Sequence, residues 1–490
     1  MGQVKVAKSI SGIRLPPSMG IDRVFVMESK FEHSSNPTSI AGLLADSAAR
    51  ATRYLDKIDK RSILPSKAAI AALETLRVPF PEESADPASV LAKLDDIGSP
   101  ATIASAGGRY FGYVVGGSLP VGVAASWLAA AWDQNAQVYA TSPVAAVLEE
   151  VAAAWLLDVL RLPPMASVGF VTGGQMANFT ALSAARNAVL NGVGWNFDEH
   201  GLFGAPPITI LMSEAAHSTI HSAARMMGIG ELQIRRIPCD DQGRMRLDAL
   251  ATVLNLTKGP KIVSSQAGNV NSGAFEAFDH IADLCARHAA WLHIDGAFGL
   301  WAAATPKFDS VMAGHDRADS WTVDAHKWLN TPYDCGMVAV REARWHRSLK
   351  TAHCAYSELG KDGQRDGSVW VPENSRRARG IECWAALHQL GRAGVQSLVE
   401  RCCNHALKLA AGLQAIGYDV LNEVVLNQVV FACADEQSTR RALARLQNSG
   451  VAWLGATTWQ GRFAARISVS SWATTDQDVE QTIAALANSY

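Results

Sequence analysis

The chain has 490 residues, 48% hydrophobic and 18% charged, with 44 basic against 46 acidic side chains and a net charge of −2. That composition describes a globular protein with room for two or three domains, and it excludes disordered and fibrous classes. No basic run or acidic tail occurs, so neither nucleic acid nor an anionic membrane is expected as a partner.

The opening residues, MGQVKVAKSISGIRLPP, lack the apolar core of a signal peptide. Cysteines at 239, 285, 335, 354, 383, 402, 403 and 433 form no CxxC pair and show no zinc-ligand spacing. Reduced thiols in a cytoplasmic protein are the expectation.

Helical periodicity begins at SIAGLLADSAARATRYLDKID, breaks at SILPS, resumes, and returns after the loop PFPEESADP in ASVLAKLDDIG. This predicts an N-terminal helical segment over residues 1–100. The apolar stretch VVGGSLPVGVAASWLAAAWD is interrupted by glycines and a proline, and reads as a loop entering a buried helix, not a membrane span. From about 165, short apolar runs alternate with helical stretches: SVGFVT, ITILMS, KIVSSQ, AAWLHID, SWTVD and GMVAV. Such runs predict a mainly parallel sheet buried on both faces, within an α/β domain over 101–375. After PENSRRARG comes a long helix, then FACADEQSTRRALARLQNSG and the strand RFAARISVS, a small α/β domain over 376–490.

Parallel sheets bind ligands at the carboxyl ends of their strands, so those ends carry the functional reading. SVGFVT runs into GGQMANFTALSAAR, where Gly173 and Gly174 open a helix whose N-terminus could hold an anion. Alone, a glycine pair is usually a turn. ITILMS leads to His217, with His221 four residues on; the pair lacks the glutamate of HEXXH, and each could be structural. AAWLHID ends in Asp295, which could be a turn cap or a carboxylate held in apolar surroundings. SWTVD delivers Asp324, His326 and Lys327.

Together these groups match what pyridoxal 5'-phosphate needs. A lysine out of bulk water condenses with the aldehyde, and a carboxylate keeps the pyridine nitrogen protonated so that the ring accepts electrons. A histidine covers the ring, and a helix start takes the phosphate. A nucleotide-binding protein would want GxGxxG after the first strand, which GGQMAN does not supply.

On DAHKW, with HIDGAFG about thirty residues before it and SEAAHSTIHSAAR, QAGNVNSGAF and NSRRARG in order, the sequence resembles the group II pyridoxal-phosphate-dependent amino-acid decarboxylases. These share fold type I, the aspartate aminotransferase fold, and the likeness runs from GGRYFGYVVGG to RISVSSW. The resemblance implies a seven-stranded large domain, a homodimer with the site at the interface, and a small-molecule amino-acid substrate. It makes Lys327 the Schiff-base lysine, Asp295 the partner of the pyridine nitrogen, Ala297 a ring contact, and His217 the stacked residue that shapes proton transfer. Gly174 and Gln175 would hold the phosphate with His326 and Asp324, and Asn269 would meet the cofactor's 3-hydroxyl or the substrate.

Departures from the family pattern raise alternatives. Gln175 stands where a hydroxyl residue is common, and Met176 replaces a frequent glutamate. Val114 and Ser105 stand where aromatic-specific members have aromatic residues. Counting back from VWVPENSRRAR puts Gly367 at the place of the mobile-loop tyrosine that protonates the product carbon, with Tyr356 further upstream. Without that donor, an aldehyde-forming oxidative deaminase, an aminotransferase or a carbon–carbon lyase becomes an alternative to decarboxylation. A non-enzyme alternative is a cofactor-binding regulatory protein. Arg466 could bind a carboxylate or form a structural salt bridge, and SRRAR is expected to solvate a helix start.

Overall fold

The structure is a computed structural model that describes residues 39–349 and 363–488. Its centre is a seven-stranded sheet of β1 (Ser167–Val171), β2 (Thr209–Ser213), β3 (Ile234–Ile237), β4 (Lys261–Gln266), β5 (Trp291–Asp295), β6 (Ser320–Asp324) and β7 (Gly336–Val340). The order is β1-β7-β6-β5-β4-β2-β3. All pairs are parallel except those of β7, which runs antiparallel to β1 and β6. Parallel pairing aligns the carboxyl ends of β4, β5 and β6, with Gln266 opposite Asp295 and Asp295 opposite Thr322.

Both faces of the sheet are covered, so most strand residues are buried and read as continuous apolar runs. β3 escaped the sequence reading. It is the edge strand, and Arg235 and Arg236 lie between its two buried isoleucines. Charge on an edge discourages further pairing and erases the apolar signature at the same time.

The helix Gly380–Ala415, kinked at Gly391, packs on the helices Pro120–Trp132 and Pro143–Val159. A second, antiparallel sheet follows: β8 (Asp419–Val420), β9 (Gln428–Ala432), β10 (Gly455–Trp459) and β11 (Arg462–Ser468), ordered β10-β11-β9-β8. No described helix is long and apolar enough to cross a membrane.

The N-terminal helices Ile40–Leu55, Lys67–Ala72 and Pro87–Ala101 bury no residue, and Ile40, Leu44, Val90 and Leu94 face outward. Helix Pro120–Trp132 differs from its expected burial: only Gly122 and Ala125 are buried, while Trp127, Leu128 and Trp132 are exposed.

SRRAR does not solvate a helix start as a whole. Arg376 is buried and ion-paired with the equally buried Glu149, at 2.7 Å to each carboxylate oxygen, with Nη2 donating to Oε2. Arg365 lies 3.5 Å from the same carboxylate and donates to the Val168 carbonyl at 2.6 Å. The cluster ties the segment after residue 363 to β1. Glu149→Gln leaves two buried guanidinium groups without their anion, and is expected to lower unfolding free energy by about 3–5 kcal/mol in urea titrations.

Glu276 is the opposite case, a buried carboxyl that makes no ion pair among the described residues. It accepts from the Met245 N–H at 2.8 Å, and burial pushes its pKa up to about 8. Between the ordinary carboxyl range and about 8, the unfolded chain has lost a proton that the native state keeps. Stability therefore falls as pH rises through that window. Glu276→Gln should flatten the slope and raise stability at pH 8 by about 2–4 kcal/mol, measured as denaturation free energy against pH.

Candidate active site

Three glycines let the ends of β1, β6 and β7 meet. A Cβ on Gly173 would lie 3.0 Å from His326 Cε1, one on Gly174 would lie 3.0 Å from Asp324 Oδ2, and one on Gly336 would lie 2.5 Å from Gly173 Cα. The helix Gly174–Asn191 thus starts against Asp324 and His326 with the N–H groups of its first turn unpaired within the helix.

Lys327 Nζ is 3.1 Å from Asp324 Oδ2, and the other Asp324 oxygen is buried without a hydrogen-bond partner among the described residues. His326 Nδ1 accepts from the Cys335 N–H at 3.2 Å, which fixes the ring, and burial lowers its pKa. The turn after Lys327 is pinned by Asn330, whose Nδ2 lies within reach of the Lys327, Trp328 and Ser470 carbonyls. Gly116 passes so close that a Cβ there would overlap the Lys327 carbonyl.

At the end of β5, both Asp295 oxygens act as acceptors: Oδ2 from Asn178 Nδ2 at 3.0 Å and Oδ1 from the Ala297 N–H at 3.2 Å. His217 caps the helix Ser218–Met226, its Nδ1 accepting from the Thr219 N–H at 3.3 Å with the Thr219 hydroxyl at 2.9 Å. Its ring opens to the cavity, yet enough protein surrounds it that desolvation lowers its pKa.

These groups line one cavity of about 360 Å³, walled by Gly173, Gly174, Gln175, His217, Asp295, Ala297, Asp324, His326 and Lys327 together with Tyr113, Val114, Val270 and Phe298. Sequence reasoning missed Tyr113. It stacks on Trp453 at 5.3 Å, and both it and Val114 take left-handed backbone, φ 55° and 59°, which is strained for a β-branched valine. The glycine-rich GYVVGG was the available signal.

Gln175 lies on the cavity wall, its side-chain amide 3.6 Å from Met226 Sδ. Other expected residues stand elsewhere. Asn269 sits behind the wall: Oδ1 accepts from the Asn271 and Ser272 N–H groups and Nδ2 donates to the Ala215 carbonyl. His221 pairs with Glu231. Ser105 is not on the cavity wall. Arg466 has no carboxylate partner among the described residues; it donates to the carbonyl of the cavity residue Val270 at 2.9 Å, and burial lowers its pKa.

Gly367 corrects an expectation. It is buried beside the Glu149–Arg376 pair, where a Cβ would lie 1.9 Å from Arg376 Nη2 and 2.5 Å from the Ala136 carbonyl oxygen. No larger side chain fits there, and the position is off the cavity wall. Glycine at 367 therefore says nothing about a proton donor, and the case for redirected chemistry loses its basis. Tyr356 lies outside the described residues.

Residues 76–434 match the family model described as the pyridoxal-dependent decarboxylase conserved domain. The chain is 28% identical over 394 residues to an aromatic-L-amino-acid decarboxylase of Bacillus atrophaeus, covering 76% of this chain and 79% of that one. It is 26% identical over 457 residues to tryptophan decarboxylase 1 of Oryza sativa subsp. japonica, covering 85% and 87%. A solved structure of Oryza sativa TDC with PLP and tryptamine superposes with a TM-score of 0.85 at 22% identity, over 93% of this chain and 99% of that one. The chain belongs to the pyridoxal-dependent decarboxylase family, its fold is PLP fold type I, and its cofactor is pyridoxal 5'-phosphate.

Proposed function

We propose that this cavity removes the α-carboxylate of an L-amino acid as carbon dioxide and releases the amine, with Lys327 carrying the cofactor. The convergence of Lys327, Asp295 and the glycine-opened helix on one cavity at the strand ends carries this reading. The residues fit the cofactor on three counts. Any Cβ at Gly173 or Gly174 would crowd the helix start, Asp324 keeps beside it a buried oxygen unpartnered among the described residues, and the donor set pairs one amine with one carboxylate.

When bound, pyridoxal phosphate supplies an aldehyde for the amine and a ring that accepts the electrons of the breaking bond. The chain's own residues do the rest. Lys327 Nζ would hold the cofactor through its amine, with Asp324 at 3.1 Å to orient that nitrogen. The Gly174 and Gln175 backbone, with the helix dipole, binds phosphate beside His326. Asp295 holds the proton on the ring nitrogen. His217 and Ala297 would contact the ring, and the apolar wall of Val114, Val270 and Phe298 would limit water around a bound substrate.

A homodimer belongs to this reading, supported by the outward-facing apolar side chains of the N-terminal helices and of Pro120–Trp132. So does a reducing, cytoplasmic location, supported by the unpaired thiols of all seven described cysteines.

Mass spectrometry of products tests the reaction, using cofactor-loaded protein and a panel of aromatic, acidic and aliphatic amino acids in air. Amine with stoichiometric carbon dioxide is the expected result. Aldehyde, ammonia and peroxide would refute it.

A further inference from the structure

Behind the cavity lies a buried hydrogen-bond chain whose inner members have no role in the reaction as described above. Trp291 Nε1 donates to Ser320 Oγ at 2.9 Å, and Ser320 Oγ lies 2.9 Å from His293 Nδ1. His293 Nε2 is 3.0 Å from Asn178 Oδ1. Asn178 Nδ2 then reaches Asp295 Oδ2 at 3.0 Å and Thr219 Oγ1 at 3.2 Å, and Thr219 Oγ1 lies 2.9 Å from His217 Nδ1. Asn178, His293 and Ser320 have no exposed surface.

The direction of every bond follows from donor chemistry. An aspartate beside the Asn178 amide takes its NH2 group, so the amide oxygen faces His293. An amide oxygen only accepts, so His293 carries a proton on Nε2. Burial lowers the His293 pKa to about 4, so the ring is neutral and its bare Nδ1 accepts from the Ser320 hydroxyl. That hydroxyl in turn accepts from the indole of Trp291, which can only donate. On the other branch, Thr219 Oγ1 accepts from Asn178 and donates its own hydroxyl hydrogen bond to His217 Nδ1. The Thr219 backbone N–H points at the same nitrogen, so two donors agree that His217 is bare at Nδ1 and protonated at Nε2.

We propose that Asn178 and His293 are positioning residues for the site, holding Asp295 in its acceptor orientation and His217 as the Nε2–H tautomer. The proposal rests on the reading that Asp295 and His217 bound the cofactor. His217 Nε2 has no protein partner among the described residues, and the ring lines the cavity. His217 therefore offers bound molecules a neutral N–H donor, not a lone pair that could act as a base. Asn178 is the branch point, since one amide serves both the carboxylate and the histidine. Its orientation is secured from behind by His293.

Two readouts test this. Solid-state NMR of the full-length protein, labelled with nitrogen-15 histidine and assigned through His217→Gln and His293→Gln, reports which ring nitrogens bear protons. Both residues neutral and protonated at Nε2 near pH 7 is the expected result. A proton on His293 Nδ1, or on both nitrogens, overturns the proposal. This signal needs no cofactor, so it stands apart from failure of the functional reading, which would show as wild-type protein that does not bind pyridoxal phosphate.

The second readout is the cofactor dissociation constant of His293→Gln and His293→Leu. Glutamine keeps a donor toward Asn178 and leucine keeps only bulk. The chain predicts weakening of about 10-fold or more in His293→Leu, and within about 3-fold of wild type in His293→Gln, the scale on which outer partners tune a ligand-holding group. Equal loss in both variants, or none in either, indicates packing alone and overturns the proposal. If neither variant folds, the wild-type His217 signal, assigned through His217→Gln, decides: a proton on His217 Nδ1 overturns the proposal.

Discussion

Lys327→Ala and Lys327→Arg will both lower turnover by more than about 10³-fold, the scale of losing a covalent catalytic group. They will differ in stability. Lys327 Nζ is the cation beside Asp324, whose side chain is 2% exposed and keeps one oxygen without a hydrogen bond among the described residues. Alanine leaves that carboxylate buried with no lysine, so the melting temperature of the cofactor-free protein should fall by several degrees. Arginine restores a cation near Asp324 but stays protonated and cannot attack an aldehyde. An inactive variant with restored melting temperature separates the chemical role of the amine from its electrostatic one. Retained turnover in either variant would remove Lys327 from the reaction.

Asp295→Asn is the second large effect, expected at about 10³-fold in turnover, comparable with removing a preorganised charge aimed at the reacting system. The asparagine is nearly isosteric, but its single amide oxygen can accept from Asn178 or from the Ala297 N–H, not from both. It lacks the charge that, on the proposed reading, would hold a proton on the ring nitrogen, and its amide can meet Asn178 only through its oxygen. Cofactor attachment through Lys327 should survive, so the defect falls on turnover and not on retention of the cofactor. Asp295→Glu keeps the charge at a displaced position and should recover part of the rate. Steady-state kinetics of the three proteins at one pH checks the order wild type, Glu, Asn.

Much of this site was legible because its parts are local. Lys327, Asp295, His217 and Gly173 each follow an apolar strand in sequence, and parallel pairing gathers strand ends on one edge. What escaped the sequence depends on register or packing. His293 faces Ser320 only because β5 and β6 align those residues, and Asn178 reaches Asp295 across 117 positions of chain. Nothing in the periodicity of either segment marks a polar residue that will be buried and satisfied.

Arg376 and Gly367 failed for the same reason. Counting along VWVPENSRRAR assigns positions but does not show that this stretch folds onto Glu149. The exposed face of Pro120–Trp132 defeated a composition argument, since an apolar helix reads as buried whether its cover is the same chain or another copy.

The most direct test of the account is to reduce the cofactor-loaded protein with borohydride, digest it and locate the attached phosphopyridoxyl group by mass spectrometry. The account predicts one modified peptide, carrying the group on Lys327 Nζ. Attachment at another lysine, or protein that binds the cofactor and yields no modified lysine, would contradict it.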